Sequence, residues 1–204
     1  NDSEISKHKE ILSKKIVTIE QLDSQIDALK QALANKDEQS KSSLTELNVL
    51  SEKYAMIQTK IDYYRDNFSD DLNAYRIYNE LSHTTKDSLS GIFKDNSIKG
   101  VISCGIQERN INNLWEYIKT EVVNGSNPDI HRLISLFEIL FSRFSLAFPQ
   151  YKRQKTIIGE KFDTQLHIKH NSSINVSGQI ESVLLQGYLN TKTDKAVKQS
   201  IIKI

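Results

Sequence analysis

The sequence predicts an α+β protein in three parts. These are a long helix paired as a dimeric coiled coil (1–95), a short helical hairpin forming a four-helix bundle across the dimer (96–150), and a small all-β domain (151–204). Three observations predict it. An apolar residue recurs every seven positions through the first third of the chain, two shorter middle segments carry apolar residues at helical spacing, and the period falls toward two after about residue 155.

The seven-residue repeat runs roughly from residue 5 to residue 93. One seam contains Leu12, Ile19, Ile26, Leu33, Ser40, Leu47, Tyr54, Ile61, Phe68 and Tyr75; its companion, three residues on, contains Lys15, Leu22, Leu29, Lys36, Ser43, Leu50, Ile57, Tyr64, Asp71 and Tyr78. Most layers of a two-stranded coiled coil are thereby filled on both positions, and a period of seven specifies a left-handed supercoil. Such a helix reaches on the order of 110 Å from Ile5 to Tyr78. It cannot bury its stripe on its own body, so a homodimer is expected. Between Lys36 and Ser43 three successive seam residues are polar. A frayed layer, a stutter and a hairpin turn all fit; the continuous helix is favoured because the register is unbroken and no Gly or Pro marks a turn.

The middle of the chain changes pattern. Gly100 and Gly105 bracket a short apolar piece, Val101 to Ile106. A helix follows from about Asn110 to Val123, with Ile111, Leu114, Trp115, Ile118 and Val122 on one face and Asn124-Gly125 as its stop. The next opens at Ser126-Asn127-Pro128, a cap with proline at the start, and ends at Pro149. Its apolar face is broad: Ile130, Leu133, Ile134, Phe137, Leu140, Phe141, Phe144 and Phe148, widened by Leu136 and Ile139. So broad a face needs neighbours on more than one side, which two such hairpins meeting across a dimer supply.

Candidate strands in the last part are Thr156–Ile158, Leu166–His170, Gly178–Gln186 and Gln199–Ile204, with turns at Asn171–Ser173 and Asn190–Asp194. The last strand alternates as a half-buried strand does.

Composition excludes several functional classes. The 204 residues are 38% hydrophobic and 26% charged with a net charge of +1, which gives no global bias toward nucleic acid or anionic lipid. The single cysteine, Cys104, rules out an intramolecular disulfide and reads as a small residue near a helix junction. Leu133 to Phe148 is the longest apolar run; Glu138 and Arg143 interrupt it and it is too short for a bilayer. No signal peptide or membrane span is visible, so a cytoplasmic location is expected. Neither a Gly-rich phosphate loop, an HExxH nor a cysteine–histidine metal set is present, so no cofactor, no metal and no enzymatic activity are expected. His167 and His170 sit three apart without a further ligand.

The C-terminal residues resemble a known family. Gly159-Glu160-Lys161-Phe162-Asp163, then Leu166-His167, then Gly178 through Val183 to Gln186-Gly187-Tyr188, then Ile201-Ile202-Lys203-Ile204, is similar to the C-terminal domain of the GrpE family, whose pattern is approximately G-E-x-F-D-P-x-x-H, a glycine, V-x-x-V-L-Q-x-G-Y and a final V-x-V strand. Thr164 and Ser177 stand where that pattern has proline, and Val197-Lys198 where it has Arg-Pro, so the chain resembles a divergent member. The architecture upstream agrees: GrpE proteins have a long paired helix, a bundle made by the dimer and a compact β domain.

The resemblance implies a nucleotide exchange factor that binds the nucleotide-binding domain of a DnaK-type chaperone and favours its open cleft. By linkage, ADP then weakens that binding. Of the motif residues Phe162, Asp163, Leu166, His167, Gly178, Val183 and Gly187, Phe162 and Val183 read first as small-domain core, as does Tyr188, with His167 fixing a turn and the glycines serving the backbone. Residues expected to meet the partner are Leu185, Gln186, Tyr188, Lys198 and Ile201, on an open β face and its loops. The main rival is a coiled-coil scaffold or adaptor whose β domain docks a protein without affecting nucleotide. A nucleic-acid reading rests only on Lys152, Arg153, Lys155 and Lys169 near Tyr151, and the missing charge excess counts against it.

Overall fold

Residues 2–204 are described by a computed structural model. The chain divides into two compact units, one ending at Tyr64 and one running Arg65–Ile204. Helix α1, Asp2–Glu80, is unbroken through Lys36–Ser43, as the uninterrupted register predicts. Its composition favours a helix, and pairs such as Glu10–Lys14 and Arg76–Glu80, each at 2.7 Å, add a few tenths of a kcal/mol apiece. The thirteen seam side chains Leu12, Ile19, Leu22, Ile26, Leu29, Leu33, Leu47, Leu50, Tyr54, Ile57, Ile61, Tyr64 and Phe68 are 44–69% exposed.

The helix ends at Glu80, short of the expected limit near residue 93. The cause is a serine cap. Ser82 leaves helical geometry (φ −59°, ψ 156°), and its Oγ accepts a hydrogen bond from the Thr85 N–H, opening α2, His83–Ser88. The last members of the repeat, Tyr75 and Tyr78, pack into the core of their own chain, and the Tyr78 hydroxyl donates to Asn96 at 2.7 Å.

Helix α3 spans Ile98–Gly105, so the two glycines expected to bracket this piece lie inside it. Gly105 packs closely against α5: a Cβ would sit 2.7 Å from the Leu140 methyl carbons, which would have to shift. Helix α4, Glu108–Asn124, stops as expected at Gly125, which takes φ +68°. Helix α5, Ile130–Ala147, begins later than Pro128 suggested. The reason lies in Asp129, whose carboxylate does not cap its own helix but accepts from Ser82 N at 2.8 Å and Thr85 Oγ1 at 2.9 Å.

Burial of Asp129 works against its charge, but the bonds from Ser82 and Thr85 and the Arg132 cation outweigh it and hold the carboxyl below its ordinary range. A carboxylate with a lowered folded pKa contributes stability that is full above its unfolded value and is lost as pH falls toward the folded one. Asp129→Asn is therefore expected to destabilise the protein at pH 7 and to flatten the decline in thermal midpoint below about pH 4. Melts of both proteins across that range check it; parallel declines would refute it.

The broad face of α5 is covered within the chain, and no second hairpin is needed for that. Leu133, Leu136, Phe137, Leu140, Phe141 and Phe144 are at most 2% exposed. They share one core with Ile111, Leu114, Trp115 and Ile118 of α4, with Ala74, Ile77 and Tyr78 of α1, and with Leu185, Tyr188 and Ile201 from the C-terminal part. Arg143 fastens α5 to α1 through Asp71 at 2.8 Å. The segments drawn as 96–150 and 151–204 thus belong to one unit. No described helix is long and apolar enough to cross a membrane.

Six short strands complete the unit: β1 Tyr151–Arg153, β2 His167–Lys169, β3 Ser182–Leu185, β4 Tyr188–Asn190, β5 Lys195–Lys198 and β6 Ser200–Lys203. One sheet has the order β1-β4-β5, all antiparallel; the other has the order β2-β6-β3, with β2 parallel and β3 antiparallel to β6. Thr156–Ile158 is not a strand, and β1, β4 and β5 were not expected. β6 is central and buried on both sides: Ile201 enters the large core, and Ile202 and Ile204 form a second cluster with Ile180, against which Phe162 and Val183 pack.

Candidate partner-binding surface

The residues expected on an open β face lie mostly inside. Leu185, Tyr188 and Ile201 are 1%, 3% and 0% exposed. Tyr188 packs 5.0 Å from the Phe141 ring, its hydroxyl donates to Asn112 at 3.3 Å, and burial pushes its pKa well above the usual tyrosine value. The expectation failed because helices α4 and α5 occupy the face that a free-standing β domain would have left open.

Gln186 is held by its own chain as well. Its side-chain amide donates to Thr156 O at 2.8 Å and accepts from Thr156 N at 3.2 Å, while its backbone carbonyl accepts from Trp115 Nε1 at 3.1 Å and Arg153 Nη1 at 2.7 Å. Arg153 also pairs with Glu138 and lies 4.8 Å over Phe137, which removes it from the basic cluster near Tyr151. Lys198 bonds to Glu116 at 2.6 Å and sits 5.6 Å over Trp115.

Ser200 ties these pieces together. Its fully buried hydroxyl accepts from Gly187 N at 2.8 Å and Thr156 Oγ1 at 3.0 Å and donates to Gln154 Oε1 at 2.7 Å. Ser200→Ala leaves three buried polar groups short of a partner, so a loss of about 2 kcal/mol is expected. Chemical denaturation measures it, and a loss below about 0.5 kcal/mol, the low end for one hydrogen bond, would contradict the network.

The motif residues take structural positions. Asp163 and His167 close a turn: His167 N donates to Asp163 O at 2.8 Å, and His167 Nδ1 accepts from Asp163 N at 3.1 Å. His167 stacks on Phe162 at 6.2 Å, and burial lowers its pKa against the pull of Glu160 and Asp163. Leu166 N bonds back to Asp163 O, and Leu166 O accepts from Ser200 N. Gly178 takes φ +151°. Gly187 has its own requirement, a close approach: a Cβ there would fall onto the Lys198 carbonyl and the Gln154 amide oxygen. His170 bonds instead to Ser172, and among the described residues no group of three or more His, Cys, Asp or Glu is placed to hold a metal.

Two loop tips expose apolar side chains that the sequence pattern does not mark. Ile157 and Ile158 are 65% and 69% exposed, and Ile174 and Val176 are 94% and 83% exposed. The first pair lies in the candidate strand Thr156–Ile158, expected from the shift of the period toward two; the segment instead turns, with Ile157 N donating to Glu160 Oε2 at 3.1 Å. The second pair alternates with polar residues between the turn at Asn171–Ser173 and the candidate strand from Gly178. The chain just after each tip is joined by Phe162 N to Gly178 O at 3.0 Å and Gly159 N to Ile180 O at 2.8 Å. A single exposed isoleucine is ordinary, but four β-branched side chains at two tips form the strongest apolar feature of this unit's strand-bearing part.

Comparison with protein-family models and with curated proteins gives no match for this chain.

Proposed function

We propose that the chain is a GrpE-like co-chaperone, a homodimer that promotes ADP release from a DnaK-type chaperone by binding the open state of its nucleotide-binding domain. The observation that carries this reading is the joint placement of the motif residues. The Asp163–His167 turn, the close approach at Gly187 and the central strand through Ile201 meet around Ser200 in one connected set of hydrogen bonds and core contacts. Supporting it are the order of elements and the exposed apolar seam of α1, which a second copy would cover by knobs-into-holes packing. Exchange requires no chemistry from this chain, only tighter binding to the open state than to the closed one.

The test is release of a fluorescent ADP analogue from DnaK-type chaperones of the same organism. Acceleration by this protein is expected, and ADP should weaken the complex by the same coupling factor. A folded dimer that accelerates release from none of them would leave the scaffold reading, in which a partner docks without any effect on nucleotide.

A further inference from the structure

We propose that a polar cavity between the α2–α3 connection and the start of α4 is a binding site for a small phosphate monoester. The proposal stands on this cavity's own residues and is independent of the function proposed above.

The cavity holds about 370 Å³. Lys94 from the α2–α3 connection and Gln107, Arg109 and Asn113 from the start of α4 give it polar walls, and Ile92 gives it an apolar one. Two cations line it and no carboxylate does. Arg109 sets the chemistry. Arg65, Arg76, Arg132, Arg143 and Arg153 each pair with a carboxylate, whereas among the described residues neither Arg109 nor Lys94 has an ion-pair partner. The one acid in the first turn of α4, Glu108, is engaged elsewhere, accepting from the Tyr151 hydroxyl at 2.6 Å. A concave wall lined by one sign of charge concentrates its field on the space it encloses, and that space draws an anion.

The number of cations selects among anions. A monocarboxylate neutralises one of the two, while a phosphoryl dianion neutralises both, takes the planar guanidinium on two oxygens and leaves a third for amide donors. Those donors are at hand. The Asn110 amide is committed to the Cys104 carbonyl at 2.8 Å and braces the wall, but among the described residues the Asn113 amide and Gln107 Nε2 donate to no protein group. A cavity of this size takes more than a phosphoryl group, and Ile92 lies against the remainder, so the ligand carries a compact organic body.

The experiment titrates the full chain by calorimetry at about 50 mM salt, where screening is modest, with phenyl phosphate, benzoate and inorganic phosphate. The variants are Arg109→Gln, Lys94→Gln and, as a control of equal charge change outside the cavity, Lys99→Gln. All three side chains are exposed, so thermal midpoints should be unchanged. Phenyl phosphate is expected to bind with a Kd on the order of 1 mM or tighter and more tightly than benzoate or inorganic phosphate, to weaken at least about tenfold in the first two variants, and to bind the third as it binds wild type. It should also slow alkylation of Cys104, the chain's single cysteine, by N-ethylmaleimide, because Cys104 lines the cavity. No binding of phenyl phosphate up to about 20 mM overturns the proposal. Benzoate or inorganic phosphate binding as tightly as the ester overturns it too, as does an equal loss in Lys99→Gln, which marks a diffuse counter-ion effect. Binding that leaves Cys104 alkylation unchanged places the ester elsewhere and likewise overturns it.

Discussion

Replacing Trp115 with alanine is expected to destabilise the Arg65–Ile204 unit by about 4 kcal/mol, within the range for large aromatic side chains removed from a core. Trp115 is 1% exposed, packs in the helical core, and donates from Nε1 to the Gln186 carbonyl, so one side chain joins α4 to the sheet region. Lys198 and Lys119 lie over its ring at 5.6 and 5.8 Å and lose that contact as well. The midpoint of the unit should fall by about 10 °C. Far-UV circular dichroism is a poor probe, because the 79 residues of α1 dominate its helical signal. Methyl resonances of Leu133, Leu140 and Ile201 report the core directly. Trp115→Phe should retain most of the packing and lose about 1 kcal/mol for the hydrogen bond. A midpoint within about 2 °C of wild type for the alanine variant, equivalent to less than 1 kcal/mol, would refute this account of the core.

Gly187→Ala is the second large effect. The added methyl meets the Lys198 backbone carbonyl and the Gln154 amide oxygen at once, and the carbonyl belongs to the last residue of β5, held by pairing with β4. A cost of about 3 kcal/mol is expected from overpacking. The same substitution at Gly91, where a Cβ meets nothing within 4 Å, is the control and should shift stability little. Equal melts for the two variants would remove the argument from close approach.

The parts of this architecture legible in the sequence are those set by local rules. The continuity of α1 followed from an unbroken register, and the end of α4 from Asn124-Gly125, whose glycine does take the left-handed conformation. The turn at Asn190–Asp194 was legible too, yet its flanking strands β4 and β5 were not, because Tyr188–Asn190 and Lys195–Lys198 are short and carry mixed polarity. Long-range partners decided the rest. Tyr78 continues the seven-residue repeat in sequence but turns into its own core in space. Asp129 looks like a helix cap and serves a different helix. Tyr188 and Ile201 were expected on a β face left open for a partner, and nothing in their own neighbourhood signals that α4 and α5 cover them.

Asp129 also sets an order of events during folding. Helix α2 has six residues, too few to persist without outside contacts, and its opening turn is completed by a carboxylate 44 residues downstream from Thr85. At synthesis rates of about 5–20 residues per second, the joint after α1 remains without its anchor for some seconds after it has been made. In that interval Ser82 N and Thr85 Oγ1 lack their carboxylate partner, and the start of α2 is completed only when the α4–α5 turn has formed.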